Sequence, residues 1–269
     1  MTGRTLLHRH PSSAPAGGYV IAVASGKGGV GKTWFAITLA QALGRAGRRV
    51  LLFDGDLGLA NVDIQLGLAA ERDLGAVIAG EITLAAAVTR SAEAGIDIVA
   101  GRSGSGSLAG LPVERLLRLR AELFRLARLY DHAVVDLGAG VDQAVRALAA
   151  SAGLCLVLAS DEPTALTDAY AFIKLTWQAS AGADIRIVVN MAADRAEGMR
   201  TYRTLAEACR NFLGLSPPLA GIVRADPRVR ETIRHQTPML TRYPTAEAAS
   251  DVEAIRDGLL RAAAARRPA

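Results

Sequence analysis

The sequence has few cysteines, few aromatic residues and no long apolar run. Its two cysteines, Cys155 and Cys209, lie far apart, which excludes the paired spacing of a zinc site, an iron–sulfur cluster or a redox motif. No run of about 18 apolar residues predicts a membrane span, and residues 1–18 lack the apolar core of an export signal. We therefore expect a cytoplasmic protein whose cysteines stay reduced.

Lysine is also scarce, because Lys27, Lys32 and Lys174 are the only lysines among 31 basic residues. In a chain that uses arginine almost everywhere, we expect a lysine to be kept where lysine itself is required. The formal net charge of +5 arises from the tails, 1–18 and 261–269, which contain no acidic residue; the rest of the chain has 26 basic and 26 acidic residues. A neutral body gives no indication of a nucleic-acid surface.

Short, continuous apolar runs alternate with segments of helical spacing from Tyr19 onward. Seven runs predict strands, at 20–25, 50–54, 96–100, 132–136, 154–160, 185–190 and 218–223. Six segments predict helices, at 32–46, 112–130, 142–151, 163–179, 197–213 and 245–264. Strands that are apolar on both sides are typical of a parallel sheet covered on both faces. The sequence therefore predicts a single α/β domain, with a mostly parallel sheet of about seven strands and helices on both faces.

Two segments are predicted to lie outside this arrangement. Residues 1–18, rich in Ser, Pro, Gly and Ala, form a flexible leader, so the domain itself covers 19–269 and ends in a C-terminal helix. The stretch GRSGSGSLAG at 101–110 follows a strand but contains no lysine. We interpret it as a flexible surface connection rather than as a second phosphate loop.

A phosphate-binding motif directly follows the first predicted strand. The pattern G-x-x-x-x-G-K-[ST] occurs at 26–33 as GKGGVGKT, at the start of a predicted helix. Its glycines let backbone N–H groups turn toward phosphate oxygens, and the helix adds its positive N-terminal end. We expect Lys32 to contact the β- and γ-phosphates and the Thr33 hydroxyl to occupy an Mg²⁺ position. The predicted nucleotide-binding residues of this P-loop NTPase are Gly28, Gly29, Val30, Gly31, Lys32, Thr33 and Trp34.

Polar side chains follow several of the other predicted strands. Asp54 and Asp56 end the second strand, where a carboxylate can hold or polarise water beside a γ-phosphate. Asp136 ends the fourth strand and is expected to hold Mg²⁺ directly or through water. Asn190 ends the sixth strand, where its amide can pair with an adenine edge or serve simply as a turn residue. Asp226 follows the seventh strand.

The sequence resembles the MinD and ParA family of ATPases over residues 19 to about 260, and most of all the FlhG or FleN branch, which regulates flagellar number and placement. The matching segments are KGGVGKT at 27–33, DGDLGLANVDIQLGL at 54–68, DLGAG at 136–140, DEPTALTDAYAFIK at 161–174 and ADPRVRETIRHQTPML at 225–240. This resemblance implies ATP and Mg²⁺ as cofactors and an ATP-dependent switch between monomer and dimer with slow hydrolysis.

The resemblance also implies roles for individual residues. Lys27 reaches the partner subunit's nucleotide, so Lys27, Lys32 and Asp56 are the catalytic residues, with Asp56 positioning the attacking water. The predicted metal site contains Thr33, Asp56 and Asp136. Asn190 and Asp226 line the pocket for the base.

The implied partners are a second copy of the chain and either an FlhF-type flagellar GTPase or a flagellar transcription regulator. The implied location is the cytoplasm, with transient stays at the membrane or the cell pole. Members commonly begin with a D-Q-A-type segment that stimulates the GTPase, and residues 1–18 contain no match to it. The apolar stripe of Val252, Ile255, Leu259 and Leu260 favours a last helix packed on the sheet, with weak membrane contact as the alternative.

Two other functions fit the same motifs. A ParA-type DNA-segregation ATPase would coat DNA through arginines, which the neutral body of the chain does not favour, so DNA binding is not expected. A MinD-type ATPase that places the division site would need a membrane-binding helix.

Overall fold

The computed structural model describes residues 18–265 with the exception of Leu57, Leu59, Ala70 and 102–110. The predicted leader, apart from Gly18, and most of the Gly- and Ser-rich connection therefore lie outside the described residues. The strands are β1 Tyr19–Ser25, β2 Val50–Gly55, β3 Val88–Ser91, β4 Ile96–Val99, β5 His132–Leu137, β6 Leu154–Ala159, β7 Ile185–Ala192 and β8 Leu219–Arg224. The helices are α1 Lys32–Arg45, α2 Val62–Leu66, α3 Leu74–Ala79, α4 Val113–Ala127, α5 Gln143–Ser151, α6 Pro163–Ala179, α7 Arg195–Leu213, α8 Pro227–Arg234, α9 Met239–Arg242 and α10 Glu247–Ala265.

The strands of the described residues form one sheet in the order β3-β4-β2-β5-β1-β6-β7-β8. β3 runs antiparallel to β4, and every other neighbouring pair is parallel. The predicted α/β fold with a mostly parallel sheet is confirmed. The sequence pattern missed β3, because this four-residue edge strand, VTRS, has one apolar residue and no continuous apolar run.

Each face of the sheet carries its own apolar layer, and β2 shows how alternate side chains divide between them. Leu51 and Phe53 pack into the layer that contains buried residues of α4, α5, α6 and α7. Val50 and Leu52 pack into the opposite layer, which contains buried residues of α1, α9 and α10. Because side chains along a strand point to opposite faces, a continuous apolar run is what a sheet covered on both faces requires. Helices therefore cover both faces, as predicted.

The C-terminal helix α10 packs on the sheet. Val252, Ile255 and Leu259 are buried, and α10 contacts β8 and α1. A Cβ on Gly221 of β8 would lie 2.4 Å from a side-chain carbon of Ile255, so glycine lets this helix approach the strand closely. The apolar stripe is thus used in internal packing, as expected. No helix among the described residues is long and apolar enough to cross a membrane.

The sheet brings the candidate site residues together at the carboxyl ends of its parallel strands. β2, β5 and β1 are neighbours, and Asp136 of β5 is paired in register with Asp54 on one side and Val23 on the other. The loop at 26–31 follows β1, and Asn190 lies near the end of β7. The carboxyl ends of parallel strands lie on the same side of the sheet, and ligands bind at these ends in open α/β sheets.

Candidate functional site

The phosphate loop connects β1 to α1 and has the backbone of an open cradle. Gly29 and Gly31 have φ values of 84° and 78°, a left-handed conformation that glycine adopts without strain. A Cβ on Gly28 or Gly29 would meet no atom within 4 Å, so this side of the loop is open. A Cβ on Gly26 would lie 2.1 Å from the backbone of Asp168, so the loop begins in close contact with α6. Backbone N–H groups in such a loop are suited to phosphate oxygens.

Lys32 and Asp136 form a buried ion pair at the floor of this cradle. Lys32 Nζ lies 3.0 Å from Asp136 Oδ1, and their side chains are 7% and 0% exposed. Burial raises the pKa of Asp136, while the positive charge of Lys32 and a hydrogen bond with the Thr33 side chain act in the opposite direction. The second carboxylate oxygen, Oδ2, is buried and has no hydrogen-bond partner among the described residues. A buried oxygen of this kind is costly unless a ligand satisfies it.

These residues fit a bound Mg²⁺. The ion prefers oxygen ligands and keeps several of its waters, so it needs only one or two protein oxygens beside a phosphate. The Thr33 hydroxyl and the carboxylate of Asp136 are within hydrogen-bonding reach of each other, and Asp136 Oδ2 has no hydrogen-bond partner among the described residues. The predicted metal ligands Thr33 and Asp136 therefore lie together.

Asp56 follows β2 and faces the loop after β5. A Cβ on Gly138 would lie 3.6 Å from Asp56 Oδ1, which places this carboxylate beside the DLGAG segment. Asp54, two residues earlier, is buried and accepts hydrogen bonds from the backbone N–H groups of Asp56, Asn61 and Val62, each at 3.2 Å. Burial, with Asp136 nearby, raises the pKa of Asp54 to about 7. The carboxylate of Asp54 is thus occupied by backbone hydrogen bonds, and Asp56, which is partly exposed, is the more accessible carboxylate.

Lys27 points away from the cradle and toward α6. Its Nζ lies 2.7 Å from Oε2 of Glu162 and 3.0 Å from the hydroxyl of Thr164. The Lys27 side chain is 31% exposed and that of Glu162 is 63% exposed, so this ion pair is at the surface. The loop around it is tied down by the Ser25 hydroxyl, which donates to the Lys27 carbonyl at 2.8 Å. The two loop lysines therefore have different surroundings.

A cavity of about 350 Å³ opens next to the phosphate loop. Its lining residues include Gly31, Trp34, Asn190, Met191, Asp226 and Pro227. Asn190 donates its side-chain N–H to the Val30 carbonyl at 2.8 Å, which fixes the end of β7 against the loop. Asp226 caps α8 by accepting the Arg228 N–H at 3.0 Å. The two residues predicted for the base pocket thus line one cavity.

Sequence reasoning did not assign a site role to Glu162, Thr164 or Met191. Glu162 and Thr164 lie in DEPTALTDAYAFIK, one of the segments that resemble the MinD and ParA family. No spacing rule indicates that they contact Lys27. Met191 resembles an ordinary core methionine in the sequence. Its left-handed backbone, with φ of 62°, and its position in the cavity are visible only in the structure.

Comparisons with known proteins agree with this geometry. Residues 21–239 match the CobQ/CobB/MinD/ParA nucleotide binding domain. The chain is 36% identical over 236 residues to the antiactivator FleN of Pseudomonas aeruginosa, covering 88% of this chain and 84% of FleN. It is 31% identical over 191 residues to the flagellum site-determining protein YlxH of Helicobacter pylori, covering 71% of this chain and 64% of YlxH.

The fold is also that of a solved relative. The septum site-determining protein MinD of Pyrococcus horikoshii, complexed with Mg-ADP, superposes with a TM-score of 0.74 at 24% identity, covering 93% of this chain and 99% of that one. The family match spans most of the described domain and includes the phosphate loop, Asp56, Asp136 and Asn190. The chain therefore belongs to the CobQ/CobB/MinD/ParA family of nucleotide-binding proteins and is an ATPase of its MinD/ParA group.

Proposed function

We propose that this chain is an ATP-dependent dimerisation switch with slow hydrolysis, which regulates flagellar number or placement through protein partners. The observation on which the switch rests is the contrast between the two loop lysines. Lys32 is buried against Asp136 beneath the cradle, whereas Lys27 is held at the surface by Glu162. We infer that Lys32 contacts the nucleotide bound in its own loop, whereas Lys27 contacts a group outside that loop.

Electrostatics explains what Lys27 would contact. A dimer that apposes two nucleoside triphosphates brings together two strongly negative groups, and their repulsion must be offset by cations at the interface. A lysine on each subunit can supply that charge, since its compact ammonium on a flexible stem fits a crowded phosphate site better than a planar guanidinium does. Lys27 is only partly exposed, and its present partner is a surface carboxylate from which it can separate.

Separating Lys27 from Glu162, so that it can contact a second nucleotide, costs little free energy. Exposed ion pairs contribute roughly 0.2–1 kcal/mol, because water screens the charges and side-chain entropy opposes the contact. Glu162 therefore holds Lys27 in the monomer without preventing its release. In this proposal the contact keeps Lys27 away from its own cradle until a second subunit offers a nucleotide.

Within one subunit, nucleotide binding exchanges the partners of Lys32 and Asp136. Lys32 turns from Asp136 to the β- and γ-phosphates, where its charge is most favourable. Asp136 then requires another cation because it is fully buried. Thr33 and Asp136 would hold a bound Mg²⁺, which would supply positive charge beside the phosphates.

Asp56 is the residue proposed to orient the attacking water. Its backbone N–H donates to Asp54, as do those of Asn61 and Val62, and its carboxylate faces Gly138. A carboxylate beside the γ-phosphate can accept a proton from water and align it for in-line attack. Loss of this group would slow hydrolysis while leaving the phosphate cradle intact.

The proposed biological role rests on the similarity of this chain to the antiactivator FleN and to the flagellum site-determining protein YlxH. We infer flagellar partners, a GTPase or a transcription regulator, and a cytoplasmic protein that stays transiently at the membrane or pole. The apolar stripe of α10 does not support membrane contact, because Val252, Ile255 and Leu259 are buried and Leu260 is partly buried.

The test is deletion of the gene in its own host, with flagella counted per cell by electron microscopy. We expect the deletion to change flagellar number or position, and an allele carrying Lys27→Ala to reproduce the deletion. A deletion that leaves flagella unchanged but causes loss of replicons, together with ATP-dependent DNA retention by the purified protein, would replace this role with DNA segregation.

A further inference from the structure

Met191 has a backbone conformation that is unfavourable for its side chain. It follows Asn190 near the end of β7, and its φ is 62°; among the residues that the structure describes, Gln236 is the other non-glycine residue with a positive φ. The pairing of β7 with β8 also shifts register between Val189 and Ala192, on either side of Met191. Glycine would adopt this conformation without strain. Strained residues of this kind are concentrated at ligand-binding sites, where the side chain is needed in that position.

The consequence of this conformation is that the Met191 side chain lies over the phosphate loop. Its terminal methyl carbon, Cε, is 3.3 Å from where a Cβ on Gly31 would be, and the side chain lines the same cavity as Asn190. Met191 is 45% exposed, so it is not part of the packed core. An exposed thioether thus forms one wall of the candidate nucleotide site.

The cavity combines apolar walls with a polar edge. Trp34, Met191, Pro227 and Val229 supply apolar surface. The polar groups come from Asn190, Asp226, Arg224 and Arg230. Trp34 is only 5% exposed, so it forms a fixed wall, whereas Met191 is flexible and polarisable. Flat aromatic ligands bind in sites of this kind, with apolar contacts to the ring faces and a few polar groups at the ring edge.

We propose that Met191 is a nucleoside-binding residue of the ATP site, whose thioether packs on the face of a purine base and contributes to base affinity. This inference rests on the proposed ATP site and adds a contact that the phosphate loop does not supply. It explains why a strained methionine occupies a position that glycine would fill more easily. The ligand part recognised by Met191 is the nucleoside, while the phosphates remain with Lys32 and the loop.

The test compares three ligands on full-length variants by calorimetry in Mg²⁺: ATP, ADP and inorganic tripolyphosphate. Met191→Gly should bind ATP and ADP about 5- to 30-fold more weakly, the range expected when part of a buried apolar side chain is lost. Its affinity for tripolyphosphate should stay within about twofold of wild type, because that ligand has no base. Met191→Leu, which keeps the apolar bulk, should restore most of the ATP affinity.

Thermal unfolding of the nucleotide-free proteins separates this role from a structural one. Met191→Gly should be at least as stable as wild type because glycine relieves the left-handed strain, so affinity and stability should move in different directions. Met191→Asn, which also tolerates this backbone, provides a second variant without the thioether and should show the same loss of ATP affinity.

Two results would overturn the assignment of Met191 alone. One is wild-type ATP affinity in Met191→Gly, and the other is an equal loss of ATP and tripolyphosphate affinity, which would mean that Met191 only orders the loop. A wild-type protein that binds no ATP would instead overturn the proposed ATP site and this inference together.

Discussion

Lys32 Nζ lies 3.0 Å from Asp136 Oδ1, and this pair is almost completely removed from water. The lysine expected to bind phosphate and the carboxylate expected to bind Mg²⁺ therefore neutralise each other in the nucleotide-free chain. Neither charge can be left alone at low cost, because a single buried ion is poorly solvated. Once Lys32 contacts phosphate, Asp136 would therefore need a bound cation such as Mg²⁺ to keep its negative charge.

Replacing Lys32 with alanine should abolish tight ATP binding and also destabilise the free protein. The variant leaves Asp136 buried without its cation, and breaking a buried pair from one side typically costs about 3–5 kcal/mol of unfolding free energy. Calorimetry measures the ATP affinity and urea unfolding measures the stability. Adding Asp136→Asn to Lys32→Ala should recover part of the stability but none of the ATP affinity.

The matched control is Lys174→Ala, because Lys174 is an exposed lysine on α6. It should leave both ATP affinity and stability near wild type, as surface substitutions usually do. Unchanged ATP affinity in Lys32→Ala would contradict the assignment of Lys32 to the phosphates.

Replacing Glu162 with alanine should favour the dimer. Lys27 loses its surface carboxylate and keeps the neutral Thr164 hydroxyl as a partner, so it separates more easily to contact a second nucleotide. The protein concentration for half-dimerisation in ATP should therefore fall by up to about fivefold. Light scattering over a concentration series measures it. The control is Asp161→Ala, which removes a neighbouring exposed charge. Weaker dimerisation in Glu162→Ala than in Asp161→Ala would show that Glu162 acts in the dimer rather than in the monomer.

Trp34 should report nucleotide binding through its fluorescence. The chain has two tryptophans, and Trp34 lines the cavity, whereas Trp177 packs in the apolar layer on the other face of the sheet. In Trp177→Phe, where Trp34 is the remaining tryptophan, ATP should change the intensity or wavelength of the emission. In Trp34→Phe the emission should not respond. A response confined to Trp34→Phe would place the nucleotide away from this cavity.

His132 should make the protein less stable in mild acid. Burial, together with the positive charge of Arg48, lowers the pKa of His132 from 6.5 to about 4. Between these values the unfolded chain binds the proton more readily, so the free energy of unfolding falls as pH decreases from about 6.5 to 4, by about 3 kcal/mol. Above about pH 6.5 the contribution to stability is complete.

The control for this pH effect is His132→Phe, which keeps a ring beside Tyr19 without a titrating nitrogen. Urea unfolding at several pH values should show a shallower decrease in acid for the variant than for wild type. Parallel pH profiles of the two proteins would contradict the low pKa of His132.

The extent to which the sequence predicted the fold follows from the length and polarity of each element. α1 was predicted to begin at Lys32 and does so, because a glycine-rich loop precedes an apolar helical repeat. β3 was missed because it is short and mostly polar, and it is a strand only through its pairing with β4. Local pattern predicts elements that have their own periodicity, and it fails for those that neighbours impose.

The same distinction applies to the site. The positions of the phosphate loop, Asp136 and Asn190 could be predicted because a motif or a strand end fixes each of them, and the sheet brings these strand ends together. The contact of Lys27 with Glu162 joins residues more than a hundred positions apart, and no spacing rule in one sequence indicates it. The left-handed backbone of Met191 coincides with the register shift between β7 and β8, and this pairing is also a tertiary feature.

The most direct test of the proposed switch is sedimentation of Asp56→Ala with and without Lys27→Ala, at equal protein concentration in saturating Mg-ATP. Asp56→Ala should slow hydrolysis by about a hundredfold or more and sediment as a dimer, because it keeps ATP bound. The double variant should bind ATP with similar affinity but sediment as a monomer, because the cation that would contact the second nucleotide is missing. A stable dimer of the double variant would contradict the account, since Lys27 would then be only a surface charge of the loop.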